Sequence, residues 1–179
     1  MPTRNPIVFL AFAAGLLLAG CSNGSFSSTT IADGGIVVRG DKVTLFGKGG
    51  SEGVLDGTGR LVVDGRDVTV DATQRQLLQR YYQSAQAVRE HGMATGKAGV
   101  AVAVQSLKKA AAHVAGGDDG KADTGLDAAT KRVHQEASRI CQDISEIRIA
   151  QDRLATSLPA FKPFAGIVDH DGSDCPKGS

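Results

Sequence analysis

The sharpest constraint on this chain lies at residue 71. Before it, apolar residues come in short β-branched pieces separated by Gly and Asp. After it, they recur in steps of three and four. The first pattern suits short antiparallel strands and the second suits amphipathic helices. The pieces are 36–38, 42–46, 53–55, 60–63 and 67–70. The breaks between them are Arg39-Gly40-Asp41, 47–50, 56–59 and Asp64-Gly65. Asp-Gly suits a tight hairpin because both central positions accept positive φ. Strands this short bury little alone and need helices across one face. The expected fold class is α+β: a short-stranded antiparallel meander followed by a three-helix unit with a long C-terminal helix.

Helix signals follow directly. Asp71 is placed to cap free N–H groups, and Gln74 to reach back in a capping box. Leu77, Leu78, Tyr81, Tyr82, Ala85 and Val88 share one face, and the helix is expected to end near His91-Gly92. In a second helix, Val100, Val104, Leu107, Ala111 and Val114 step by four and three. Gly92, Gly96, Gly99 and Ala103 form a small-residue stripe suited to close packing on the neighbouring helix, or to self-association or lipid contact. Residues 115–125 read as an exposed loop whose acids lack calcium-loop spacing.

The third helix, 127–158, reads as the longest. Leu126, Thr130, Val133, Ala137, Ile140, Ile144, Ile147, Gln151, Leu154 and Leu158 form a heptad-like seam, with Thr130 and Gln151 as polar breaks. Packing inside the domain and a coiled-coil contact with another chain both fit it. Arg139–Asp143 and Arg148–Asp152 have i,i+4 spacing. Pro159 and Pro163 end the helix, and Phe161, Phe164, Ile167 and Val168 are placed to fold back onto the core.

At the other end, Arg4 precedes an uncharged apolar run over 7–19, too short to span a bilayer as a helix but fitting the core of a secretory signal. It ends in Leu18-Ala19-Gly20-Cys21, which resembles a bacterial lipobox: small residues admit the peptidase, and the Cys21 thiol accepts the diacylglyceryl group. Several acyl chains, palmitate among them, would anchor the chain firmly. Ser22 after the Cys resembles an outer-membrane sorting signal. The expected organisation is a leader over 1–20, a lipidated Cys21 and flexible tether over 21–35, one domain over 36–168 (meander 36–70, helices 71–158) and a polar tail over 169–179. Cys141 and Cys175 are then left as an even pair in an oxidising compartment, where a disulfide is expected; two free thiols are the alternative.

The stretch 59–75, Gly-Arg-Leu-Val-Val-Asp-Gly-Arg-Asp-Val-Thr-Val-Asp-Ala-Thr-Gln-Arg, followed by Tyr81-Tyr82, resembles the YggN-type family of bacterial envelope proteins. Ile140-Cys141-Gln142-Asp143 and Ala150-Gln151-Asp152 are similar to that family's C-terminal helix. The resemblance covers about 36–92 and 138–160 and implies a periplasmic setting. The family is a domain of unknown function and carries no catalytic residues to transfer.

No catalytic residue, no metal ligand and no cofactor is expected. There is no His-Glu-x-x-His and no phosphate loop. His91, His113, His134 and His170 have no ligand spacing to one another or to Cys. Removing Arg4 with the leader leaves cationic and acidic residues equal in number, which excludes bulk attraction to polyanions such as nucleic acid. The expectation is a non-enzymatic, lipid-anchored module facing the periplasm, which meets an envelope protein through a helical face or an edge of the meander. Self-association or lipid contact through the helices, and an envelope enzyme, are the alternatives.

Overall fold

The computed structural model describes residues 28–116 and 120–169. The fold is α+β. Six antiparallel strands form one sheet in sequence order: β1 Ser28–Ile31, β2 Ile36–Arg39, β3 Lys42–Phe46, β4 Glu52–Asp56, β5 Leu61–Val63 and β6 Arg66–Asp67. Three helical segments follow: α1 Ala72–Val114, α2 Gly120–Ser157 and a 3₁₀ turn, Pro159–Phe164. Among the described residues no helix is long and apolar enough to cross a membrane.

The meander is wound by local chemistry. Asp64 and Gly65 both take positive φ, 48° and 76°, so Val63 pairs with Arg66 across a two-residue turn. Alternation then sends Ile36, Val38, Val43, Leu45, Leu55 and Leu61 to one face, all fully buried. Each such side chain contributes roughly 1.5–3 kcal/mol relative to leaving it exposed.

That face is covered by the two ends of a helical hairpin. The first half of α1 supplies Leu77, Leu78, Tyr81, Ala85 and Val88; the end of α2 supplies Ile147, Ala150, Leu154 and Leu158. The closing 3₁₀ turn adds Phe161 and Phe164, edge-on to each other at 5.5 Å, with Tyr81 at 5.9 Å from Phe161. Gly53 is required here: a Cβ on it would stand 2.9 Å from the Phe164 ring. Burial pushes the Tyr81 hydroxyl above its ordinary pKa.

Several expectations need correction. The tether does not extend to residue 35. Ser28–Ile31 is an edge strand paired with β2, because Thr29, Thr30 and Ile31 are β-branched and Ile31 reaches the core. The last strand is only Arg66–Asp67, since the chain must turn into α1. The expected helix end at His91-Gly92 is absent, so α1 runs 43 residues and is longer than α2, with 38. Packing along α2 outweighs the cost of glycines in a helix interior. Residues 120–125, expected in a loop, are the first turns of α2.

Candidate interaction surfaces

Past Val88 the hairpin leaves the sheet, and α1 and α2 continue together as a two-helix arm. The residues that pack within it are not the expected ones. A Cβ at Gly92, Gly96 or Gly99 would meet nothing within 4 Å, and Ala103 is exposed. The small residues buried within it are Ala98 of α1 and Ala129 of α2, with Gly125 admitting the Gln105 side chain. Helix phase decides which residues turn inward. The face that buries Leu77, Tyr81, Ser84 and Val88 continues along the unbroken helix to Ala98, which turns the small stripe and the valine stripe outward. Val100 is 66% exposed, Val104 43%, Leu107 71% and Val114 88%. A helix normally presents such a row to a partner. Lys97 and Lys108 stand beside it, one turn from Val100 and Val104 respectively, and make no ion pair among the described residues.

The second surface is the open face of the sheet. Register places Thr30, Val37, Thr44, Val54, Val62 and Asp67 in one continuous row across all six strands. The first five are exposed or half-buried and β-branched, and the helices lie on the opposite face. Phe46, 47% exposed, extends the row on the same side of β3. Charges of both signs rim it: Lys42 lies 3.7 Å from Asp56, and Arg60 Nε lies 2.7 Å from Asp67. Asp56 Oδ1 also accepts from the Thr58 hydroxyl at 2.6 Å and from the Thr58 amide at 2.9 Å. The Thr58 hydroxyl first, against a smaller effect of burial, holds the Asp56 carboxyl below its ordinary pKa.

Where the arm leaves the sheet, His91 of α1 sits between two carboxylates of α2. Its Nδ1 is 2.8 Å from Glu136 Oε2 and its Nε2 is 3.7 Å from Asp143 Oδ2. Arg139 donates to Glu136 Oε1 at 3.0 Å, so the expected Arg139–Asp143 pairing is replaced by an i,i+3 pair. Burial is the larger influence on Asp143 and raises its pKa; His91 lowers it and Glu146 raises it further. Hydrogen-bonded to Glu136 and facing Asp143, the imidazole clasps α1 to α2. Among the described residues no group of three or more His, Cys, Asp or Glu side chains is arranged to hold a metal ion.

The residues singled out in the sequence scatter rather than converge. Asp71 accepts from the Gln74 amide at 2.8 Å, and Gln74 Oε1 accepts from the Asp71 amide at 3.0 Å. The same Gln74 donates from Nε2 to Ser157 O at 2.8 Å, tying the start of α1 to the end of α2. Cys141 is half-buried on α2 and is disulfide-bonded. Cys21 and Cys175 lie outside the described residues. Sequence reasoning passed over two features. Gln151, read as a polar break in the seam, is fully buried: it donates to Val168 O at 3.1 Å and accepts from Val168 N at 3.0 Å. The His91 clasp was missed because His91 was placed at a helix end; the seven-residue spacing of Glu136 and Asp143, two turns on one helix face, was the signal available.

No curated protein and no solved structure matches the chain. A family model described as "Protein of unknown function (DUF2884)" matches residues 32–124. The match runs from the turn before β2 to the first turns of α2, and stops short of the α2 residues and the 3₁₀ turn that complete the core. Covering just over half of the chain, it shows that this protein belongs to the DUF2884 family.

Proposed function

We propose that this chain is a YggN-type, lipid-anchored protein of a bacterial envelope, held at the periplasmic side of the outer membrane through Cys21. Its role is to bind another envelope protein without catalysing a reaction. The observation that carries the binding reading is the open sheet face. A row of five β-branched side chains and Phe46 is unpartnered, and its rim carries both signs of charge. Apolar centre and mixed-charge rim together are the composition of a protein-recognition surface. The lipid anchor is supported by the Leu18-Ala19-Gly20-Cys21 motif. The non-enzymatic reading is supported by how the ionisable groups are used. The Asp56, Asp67 and His91 clusters are taken up in pairing within the fold.

The experiment is site-specific crosslinking in intact cells. A photoreactive residue at Thr44 or Val62 should give a reproducible adduct with one protein, abolished by Val54→Arg. The same residue at Gln83, on exposed α1 surface, should not. Absence of an adduct from the sheet face refutes the proposal, and an adduct of twice the chain mass replaces it with self-association. Cys21→Ser should release the protein from membranes; continued retention would refute the anchor.

A further inference from the structure

We propose that the outward side of the arm lies against an anionic phospholipid surface. The inference concerns a different face from the sheet surface above. Val100, Val104, Leu107, Ala111 and Val114 fall on one side of α1 in steps of four and three, and the four larger ones are exposed. Between Glu90 and Asp118 the chain carries Lys97, Lys108 and Lys109 and no acidic residue. Lys109 is engaged with Asp123 of α2, whereas Lys97 and Lys108 run along one side of the apolar row, Lys97 at the edge of the groove between α1 and α2. A helix with an apolar stripe bordered by lysines is the form that settles at the boundary of headgroups and acyl chains. The stripe enters the apolar layer, and the lysine stems run alongside it with their ammonium groups at the phosphates.

Charge and area select this occupant over a second copy of the chain. Two copies apposed through this stretch of α1 would bring lysines together with no acid on the stretch itself to answer them. Five small or medium side chains also fall well short of the roughly 800 Å² per partner of a stable protein interface. The balance of charge over the whole chain excludes attraction by net charge. It does not exclude a local patch, because the acids that cancel these lysines lie elsewhere.

Geometry agrees. Cys21 precedes Ser28 by seven residues, a reach of about 25 Å when extended. The arm from Met93 to Val114 runs about 33 Å along the helix axis. Ser28 pairs with Arg39, and the neighbouring Gly40 O accepts from Gln86 of α1, so the start of β1 lies near the base of the arm and a chain anchored at Cys21 holds the arm within reach of the same bilayer. This placement uses the anchor proposed above; the test does not.

The test uses the chain from Ser22 to Ser179, without leader or lipid, in sedimentation with phosphatidylglycerol-rich and with pure phosphatidylcholine vesicles. Binding is expected to the anionic vesicles, weakened by salt. Leu107→Asp and Val104→Asp should each lower it at least tenfold. Lys97→Glu and Lys108→Glu should each lower it roughly fivefold. All four side chains face solvent, so helical circular dichroism should remain that of the parent. No binding to either vesicle, or equal binding to both, overturns the proposal. Concentration-dependent dimerisation that Leu107→Asp removes, without vesicle binding, also overturns it and assigns the face to a second copy. Any of these results leaves the sheet-face reading standing, because crosslinks from Thr44 report on it separately.

Discussion

Gln151 is the residue whose replacement the structure constrains most tightly. Its amide is fully buried and closes both hydrogen bonds of the Val168 backbone, holding the segment after Phe164 against the core. Gln151→Leu keeps the volume and removes both partners. A buried backbone group left unsatisfied costs about 1–3 kcal/mol, so two cost about 2–6. The added apolar contact of leucine offsets part of this. The expected net loss is about 3 kcal/mol, or a Tm drop on the order of 10 °C for a chain of this size. Gln151→Ala adds a cavity and should lose more. Urea unfolding gives the free energies, and amide exchange at Val168 gives the local readout. Gln151→Glu supplies a check on sign. An ionised Glu accepts from Val168 N but cannot donate to Val168 O, so its folded-state pKa is raised by burial. Its stability should therefore be greatest below the ordinary carboxylate range and fall as pH rises through the raised value. A loss below about 1 kcal/mol in Gln151→Leu, with the Val168 amide still protected, would refute the reasoning.

Three further outcomes are expected. Gly53→Ala puts a methyl 2.9 Å from the Phe164 ring and should cost about 1–3 kcal/mol, read by denaturant midpoint; Gly49→Ala, with open space but a φ of 71°, separates backbone strain from packing. Asp71→Ala removes the side-chain acceptor of the residue-74 amide and should cost about 1 kcal/mol; Gln74→Ala keeps that bond but loses those to the Asp71 amide and Ser157 O, and should destabilise by a similar amount, read by denaturant midpoint. For Asp143, whose folded-state pKa is raised by burial, the native state holds the proton more readily than the unfolded one. Wild-type stability should then fall as pH rises upward from 3.8 through the raised value. Asp143→Asn should lack that component, so its stability relative to wild type grows with pH across that window; a parallel pH profile for the two would contradict it.

The sequence by itself determined the elements that local chemistry controls. Asp64-Gly65 fixed a hairpin because its two positions accept positive φ. Alternation in 36–38, 42–46 and 53–55 fixed which strand residues face the helices. Asp71 and Gln74 fixed where α1 begins, since a capping box is made by residues three apart. Tertiary structure decided what depends on partners distant in the chain. Whether α1 breaks at His91-Gly92 was settled by α2, whose Glu136 meets His91 from 45 residues on, because packing along a second helix offsets the intrinsic cost of glycine. The phase of that unbroken helix turned both stripes outward and brought in Ala98, which belongs to neither. Gln151 reads as a flaw in a heptad until Val168 arrives at its amide. The row Thr30, Val37, Thr44, Val54 and Val62 exists only through strand register. An apolar pattern specifies that a face must be covered; only the assembled fold specifies which face has been covered and which is left to meet something else.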